Sequence, residues 1–282
     1  IQVFNKLFRD TSKPLFSSTP VVLHLDVTLK FKPFNMRYSI TINTLVFASS
    51  GQAAQPPRGW NSYDSYTWFV NETQYLSNCE YMADHLLEFG FDTCVIDYLW
   101  YKHDSDGSWE LDDYCMPTPA LERWPSASKE LGLKPIADKV HAMGLRFGIH
   151  IMRGSSIFAK QKNCRIKNSP NNSTIRDIIL PNGACSWMNE SLSVDVSNPD
   201  GALYYDNLYN LYADWGVDFI KNDCMFGKEF VKNEVLASAN SIENILKNRN
   251  HTITYSLSAG AGDIFENVVH PSQTWTCSHS AT

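Results

Sequence analysis

The sequence predicts an α/β fold, namely a parallel (β/α)8 TIM barrel, incomplete, with about five to six of its eight strand–helix units present. From Pro56 onward, short apolar segments alternate with longer segments of helical periodicity. The short segments are apolar at successive positions, which is typical of a parallel sheet covered by helices. Polar side chains follow the ends of these segments, where a barrel carries its active site. No G-x-G-x-x-G motif follows the first strand, so a dinucleotide-binding sheet is not indicated.

The predicted strands and helices follow one another in a regular order. The strands are predicted at 58–62, 93–97, 145–150, 217–220 and 253–258. The helices are predicted at 72–89, 133–143, 199–215 and 229–247, with a further short helix at 263–270. Asn71 and Asn198 stand where helix N-caps are expected, and Gly90 and Gly144 stand where helices end. Residues 152–198 form a polar segment too long for a plain connection, so this segment is predicted to be functional or glycosylated.

Residues 1–55 do not follow this pattern and are predicted to be separate from a partial barrel domain at 56–282. Apolar and polar residues alternate over 23–31, as in one amphipathic strand. This part is either a short extra strand or sequence upstream of the true start. The second interpretation is favoured because nothing here connects to the later pattern. Residues 36–54 resemble a signal peptide, since a basic residue precedes an apolar run that ends in small residues.

Composition excludes several classes of function. The net charge of −6 offers no basic surface for nucleic acid, and no apolar stretch reaches the roughly 20 residues of a membrane-spanning helix. The seven cysteines are too scattered for a zinc pattern. Glycosylation sequons stand at Asn71, Asn171, Asn172, Asn189 and Asn250. These features favour a secreted, cell-wall or vacuolar glycoprotein with disulfides, in which the odd cysteine count leaves at least one cysteine free.

Polar and aromatic side chains at the predicted strand ends form the candidate pocket. They are Trp60, Asp97, Tyr98, Trp100, His150, Lys221, Asp223, Ser256 and Ser258. Aromatic rings, carboxylates and one lysine suit a polyhydroxylated ligand such as a sugar. Two aspartates and one histidine at this spacing set no metal-ligand pattern, so no metal and no other cofactor is expected. Three of these residues also have a purely structural interpretation: Asp97 could cap a loop, Trp60 could pack in the core, and His150 could be a hydrogen-bonded support.

Four motifs resemble glycoside hydrolase family 27, the α-galactosidase or melibiase family. They are Pro56-Pro-Arg-Gly-Trp-Asn-Ser-Tyr-Asp64, Val95-Ile-Asp-Tyr-Leu-Trp-Tyr101, Gly144-Leu-Arg-Phe-Gly-Ile-His150 and Trp215-Gly-Val-Asp-Phe-Ile-Lys-Asn-Asp-Cys224. The resemblance covers about residues 56–260. Within the family, the segments Ile96-Asp-Tyr-Leu-Trp-Tyr101 and Tyr255-Ser-Leu-Ser258 are most similar to a plant branch that includes β-L-arabinopyranosidases.

The resemblance implies a role for each candidate residue. Asp223 falls at the position of the catalytic nucleophile, and Lys221 would bind a sugar hydroxyl and keep Asp223 ionised. Asp97 matches the first of two adjacent aspartates that bind the sugar, and Tyr98 replaces the second. The implied substrate-binding residues are Trp60, Asp97, Tyr98, His150, Cys185, Lys221 and Ser258. The resemblance also implies a Cys185–Cys224 disulfide.

The expected activity is that of a retaining exo-glycosidase that removes terminal α-D-galactosyl residues, with a β-L-arabinopyranosidase or a bifunctional enzyme as the alternative. The partner is therefore a carbohydrate substrate, and the oligomeric state is not indicated. Retention needs a second carboxyl group, which the family places in an Arg-x-x-Gly-Asp segment after the sixth strand. This chain contains no such segment, and Asp263 and Glu266 are its last carboxylates. A truncated product, inactive or merely sugar-binding, is accordingly a further alternative.

Overall fold

The computed structural model describes the backbone of residues 21–30, 37–46, 56–225, 229–258 and 274–277, and the side chains of 56–225 and 231–258. The chain divides into two compact units, Ile1–Gln55 and Pro56–Thr282. In the first unit, strands β1 (Val21–Lys30) and β2 (Arg37–Val46) pair as an antiparallel hairpin. The small residues Ser49 to Ala54, predicted to end a signal peptide, lie outside the described residues.

The second unit alternates strands and helices as the sequence predicts. In chain order its elements are β3 (Gly59–Asn61), α1 (Tyr63–Tyr66), α2 (Glu72–His85), β4 (Thr93–Ile96), α3 (Lys134–Ala142), β5 (Arg146–Met152), β6 (Ser155–Ser156), α4 (Ile157–Lys162), α5 (Ile175–Ile178), β7 (Ile179–Ala184), β8 (Ser191–Val194), α6 (Pro199–Asp214), β9 (Phe219–Asp223), α7 (Glu229–Arg249), β10 (Thr254–Ser258) and β11 (Thr274–Cys277). The helix predicted at 263–270 falls outside the described residues.

Six strands form one parallel sheet in the order β11-β10-β9-β5-β4-β3. The order in space follows the order in the chain, and helices lie in the described connections from β3 to β10, as in a (β/α)8 barrel. The predicted incomplete barrel is therefore confirmed, with six strands among the described residues. The core lies between the strands and the helices that cover them. Its fully buried members include Ile96, Phe147, Ile149, Ile220 and Leu257.

Helix α2 begins at a capping box in which Asn71 and Gln74 exchange side-chain to backbone hydrogen bonds. The helix ends at His85, four residues earlier than predicted, and a separate 3-10 turn follows over Leu87–Phe89. The break lies at Leu86, whose φ of −123° is incompatible with a continuous helix.

The polar segment predicted at 152–198 has more structure than the sequence suggests. Strands β6, β8 and β7 form a small antiparallel sheet, and the short helices α4 and α5 lie within the same segment. The segment is joined to the barrel by two disulfides, Cys115–Cys164 and Cys185–Cys224, while a third, Cys79–Cys94, connects α2 to β4. Three disulfides fit an oxidising compartment. Within the described part of the chain, no helix has the length and apolar character that a membrane crossing requires.

Candidate active site

The candidate residues of β5 and β9 lie side by side because the two strands are neighbours in the sheet. His150 is paired in register with Lys221, and Met152 with Asp223. Lys221 and Asp223 are two residues apart on β9, so their side chains lie on the same face of the strand. Asp97 directly follows β4, the neighbour of β5 on its other side. Three strands therefore bring four candidate polar side chains to one end of the sheet.

Asp97 is a buried carboxylate with three donors. Its Oδ2 accepts hydrogen bonds from Lys221 Nζ at 2.9 Å and Asn61 Nδ2 at 2.6 Å, and its Oδ1 accepts one from the Tyr98 backbone at 2.8 Å. Burial by itself raises the pKa of Asp97. The charges of His150 and Lys221, together with these hydrogen bonds, outweigh burial and hold the pKa below its ordinary value of 3.8. Asp97 is therefore a charged acceptor at neutral pH.

Asp223 is the last residue of β9, and its side chain is 18% exposed. Its Oδ2 lies 3.2 Å from His150 Nε2, and its Oδ1 accepts a hydrogen bond of 2.6 Å from the Cys224 backbone. Burial raises the pKa of Asp223, but the hydrogen bond and charge of His150 outweigh it. The Cys224 amide and the charge of Lys221 add to the same effect, so the pKa lies below the ordinary 3.8. Asp223 is thus an ionised carboxylate that stays partly open to solvent.

His150 contacts Asp223 through one ring nitrogen, while its other nitrogen, Nδ1, is buried without a hydrogen-bond partner among the described residues. The edge of the His150 ring meets Tyr98, with the ring centroids 5.4 Å apart. Direct contact with the carboxylate makes His150 more than a remote support.

Aromatic side chains line the same end of the sheet. Tyr98 is half-buried, donates its hydroxyl proton to Met188 Sδ at 3.1 Å, and has ring contacts with Tyr63 and Trp187. Burial raises the pKa of Tyr98 to about 12, with nearby charges adding to the shift, so its hydroxyl is neutral. Trp187 and Tyr63 are 48% and 44% exposed, which leaves their rings accessible to a ligand.

Three other candidates are placed less directly. Trp60 is half-buried and contacts the rings of Tyr66 and Tyr75, so part of its ring packs in the core. Ser258 ends β10, the strand on the far side of β9, where Ser256 is paired with Lys221. Trp100, expected in the pocket, is instead completely buried, and its indole N–H donates to the His150 carbonyl at 2.7 Å. The expectation for Trp100 is wrong.

Cys185 and Cys224 form a disulfide directly beside Asp223. Both cysteines are almost completely buried. Cys185 is therefore a structural neighbour of the site, and its sulfur is bonded to Cys224. Cys224 has a φ of +59°, in the left-handed region that residues other than glycine rarely adopt.

Sequence reasoning missed several residues that surround the carboxylates. Asn61 donates a hydrogen bond to Asp97, and Trp187 contacts Tyr98. Arg153 donates hydrogen bonds to the backbone carbonyls of Asp223 and Cys224. Arg153 follows directly after β5, so its place at a strand end was a signal that could have identified it. Glu234, which pairs with Arg153, lies within helix α7 and gives no such signal. Among the residues whose side chains are described, no group of three or more His, Cys, Asp or Glu could hold a metal ion.

The fold and this group of side chains define the chain as part of a parallel α/β barrel that carries two carboxylates and several aromatic rings at its strand ends. Comparison with known proteins relates it more particularly to glycoside hydrolase family 27 and to α-galactosidases. It is 36% identical to a family 27 β-L-arabinopyranosidase from Geobacillus stearothermophilus, whose structure was solved with arabinose, over 73% of this chain and 49% of that one, with a TM-score of 0.67. No protein-family model matches the chain.

Curated relatives are similar at lower identity. The α-galactosidase mel1 of Schizosaccharomyces pombe is 24% identical over 64% of this chain and 30% of its own length. Alpha-galactosidase 3 of Arabidopsis thaliana is 26% identical over 69% of this chain and 34% of its own length. The resemblance predicted from the sequence motifs is confirmed. The chain spans about half the length of the solved relative and about a third of the curated ones.

Proposed function

We propose that this chain supplies the nucleophile side of a retaining exo-glycosidase site, and that the protein removes terminal α-D-galactosyl residues. The observation that carries the proposal is the ionised, partly accessible carboxylate of Asp223. It stands at the end of a barrel strand beside His150 and two residues from Lys221. Similarity to glycoside hydrolase family 27 and to curated α-galactosidases supports the reaction class.

In this reaction Asp223 attacks the anomeric carbon while the bond from that carbon to the aglycone oxygen breaks. The sugar is left as an ester of Asp223, and the aglycone oxygen takes up a proton from a second carboxyl group. That second group then removes a proton from the water molecule that hydrolyses the ester. In a retaining enzyme this second carboxyl group lies about 5–5.5 Å from the nucleophile. Asp263 and Glu266, the last carboxylates of the sequence, lie outside the described residues.

Asp97 does not suit the role of the acid. A general acid needs a raised pKa, whereas the pKa of Asp97 is lowered and its carboxylate is paired with Lys221. We assign Asp97 and Lys221 to sugar hydroxyls instead, since one offers acceptors and the other donors. We assign the exposed part of Trp60, in β3, to an apolar contact with a sugar ring face.

A β-L-arabinopyranoside is the second candidate substrate, and Tyr98 is the observation that favours it. The half-buried ring of Tyr98 packs between His150 and Trp187, beside Asp97, and its hydroxyl is bonded to Met188. Such a ring offers a hydroxymethyl group less polar contact than a carboxylate would. β-L-arabinopyranose has the ring configuration of α-D-galactose without that group. The Geobacillus relative, itself a β-L-arabinopyranosidase, supports this alternative.

The proposal also concerns location. Three disulfides and the five exposed sequon asparagines Asn71, Asn171, Asn172, Asn189 and Asn250 suit a protein that passes through an oxidising, glycosylating compartment. We assign the protein to the secretory route, with the cell exterior or the vacuole as its destination.

Glycosyl fluorides test the proposal without requiring the second carboxyl group, because fluoride leaves without a proton from a general acid. The full chain is incubated with α-D-galactopyranosyl fluoride or β-L-arabinopyranosyl fluoride, and intact-protein mass is measured before peptide mapping. We expect either a sugar adduct on Asp223 or turnover to free sugar, with both lost in Asp223→Asn. Sugar binding by calorimetry without adduct or turnover would instead identify a binding protein. The faster of the two fluorides identifies the preferred ring.

A further inference from the structure

The turn after Asp223 is held in an unusual conformation. Cys224 is buried and left-handed, with a φ of +59°, and its N–H donates to Asp223 Oδ1 at 2.6 Å. A non-glycine residue keeps this conformation only where its surroundings impose it. The hydrogen bond fixes the Asp223 carboxylate relative to its own backbone, so whatever imposes the turn also aims the carboxylate.

Arg153 contacts both peptide groups of this turn. Its backbone N–H donates to the Asp223 carbonyl at 3.1 Å, and its side-chain Nε donates to the Cys224 carbonyl at 2.9 Å. The Asp223 carbonyl and the Cys224 N–H belong to one peptide group. Arg153 therefore holds one side of the peptide whose other side faces the carboxylate. The Cys185–Cys224 disulfide restrains the same residue through its side chain.

Glu234 in α7 holds Arg153 in turn. Its carboxylate accepts from Arg153 Nη1 at 2.6 Å, from Tyr205 Oη at 2.7 Å, and from Ser193 Oγ and the Val194 N–H at 2.8 Å each. Glu234 is completely buried, and Arg153 is 2% exposed. A buried pair of this kind returns little net stability, because removing both charges from water offsets their attraction. Stability alone is therefore a weak explanation for the pair.

We propose that Arg153 is a positioning residue for the nucleophile and that Glu234 fixes its guanidinium group. Arg153 locks the Cys224 turn so that the Cys224 N–H points at Asp223 Oδ1 and leaves Oδ2 for His150 and for the sugar. The inference rests on the proposed role of Asp223. Through the Arg153–Glu234 pair, the small sheet β6–β8–β7 and helix α7 also act on the reaction.

The test compares Glu234→Gln and Arg153→Lys with the unmodified full chain. Glu72→Gln is the matched control, because Glu72 is also a buried carboxylate paired with a cation, Lys139, but contacts Ser126 rather than the site. Three quantities are measured. They are the hydrogen-exchange rate of the Cys224 amide by NMR, the pKa of the Asp223 carboxyl by ¹³C NMR, and the rate at which the two glycosyl fluorides label Asp223.

We expect the Cys224 amide to exchange faster and the pKa of Asp223 to rise in Glu234→Gln and Arg153→Lys, because the turn relaxes and its hydrogen bond to the carboxylate is lost. Labelling should slow by about a hundredfold, the effect of misplacing a reacting group by roughly 1 Å. Glu72→Gln should change none of the three. If either site variant does not fold, Ser193→Ala replaces it, since it removes only one hydroxyl from the same network.

Unchanged amide exchange and an unchanged pKa of Asp223 in folded variants would overturn the inference, whatever the labelling rates. Failure of the unmodified chain to label or turn over would sink the proposed function instead. The two NMR measurements would then still decide whether Arg153 sets the turn.

Discussion

Asp97 and Asp223 are the same residue type at the ends of nearby strands, yet their surroundings suit them to different tasks. Asp97 is enclosed and paired with Lys221, whereas Asp223 is partly open and contacts His150. Both have a lowered pKa, so both are charged acceptors and neither is suited to donate a proton. Accessibility therefore distinguishes Asp223, the proposed nucleophile, from Asp97, the proposed acceptor for sugar hydroxyls.

The pH dependence of labelling should follow the lowered pKa of Asp223. A carboxyl group with a lowered folded pKa stays mostly ionised at every pH above that pKa. Its contribution to stability is lost only as the pH falls through that value. We expect labelling by the glycosyl fluorides to persist as pH falls to the ordinary value of 3.8 and to decline below it. In His150→Phe the decline should begin at higher pH, because the substitution removes the contact that lowers the pKa of Asp223 most.

The matched control is His103→Gln, since His103 contacts Glu110 and Glu122 away from the site. A pH profile of His150→Phe identical to that of this control would contradict the assignment of His150 to Asp223.

Lys221 should matter for stability as well as for binding. Lys221→Met leaves the buried Asp97 carboxylate without its cation, and we expect the free energy of unfolding to fall by about 2 kcal/mol. The double variant Lys221→Met/Asp97→Asn should recover part of the loss, because no uncompensated charge remains. Urea denaturation of the two single variants and the double variant measures this. A double variant less stable than Lys221→Met would contradict the pairing.

At the scale of elements, the segment at 152–198 is the clearest departure from a plain barrel. Its three-stranded sheet lies against the turn that follows β9, through Arg153 and the Cys185–Cys224 disulfide. Gly154, next to Arg153, lets the backbone pass close to β8, since a Cβ there would lie 2.0 Å from the Leu192 carbonyl oxygen. The segment thereby supports the end of β9 that carries Asp223.

Two disulfides can be compared directly. We expect the double variants Cys185→Ser/Cys224→Ser and Cys79→Ser/Cys94→Ser to lower the free energy of unfolding by about 4 and about 3 kcal/mol, since the two disulfides close loops of 39 and 15 residues in the unfolded chain. Only the first pair adjoins Asp223. Thermal unfolding gives the stability change, and labelling of the folded fraction gives the effect on the site. Equal labelling by both double variants would show that the Cys185–Cys224 disulfide does not act on Asp223.

At the scale of the whole molecule, the two compact units divide at residues 55 and 56. Among the residues whose side chains are described, the candidate site residues and the buried core belong to the second unit. We therefore expect residues 56–282, expressed alone, to be labelled by the glycosyl fluorides at the rate of the full chain. Parallel labelling of the two proteins tests this. A labelling rate reduced about tenfold or more in the shorter protein, equivalent to about 1.4 kcal/mol in the barrier, would show that residues 1–55 contribute to the site.

The sequence by itself determined the features that depend on local order. Alternating apolar segments predicted the parallel strands, Asn71 and Asn198 predicted two helix starts, and strand ends predicted Asp97, Lys221 and Asp223. The predicted strands and helix starts agree with the structure because hydrophobic periodicity and capping act over a few residues, whereas the roles of Asp97, Lys221 and Asp223 stay predictions.

Only the tertiary structure decided which side chains meet. Arg153 and Glu234 are 81 residues apart, and His150 and Asp223 are 73 apart, so no local pattern specifies either contact. The lowered pKa of Asp223, the burial of Trp100 and the left-handed turn at Cys224 all follow from such distant neighbours. Packing across strands and helices sets the desolvation and the charges that each group experiences, and that packing exists only in the folded chain.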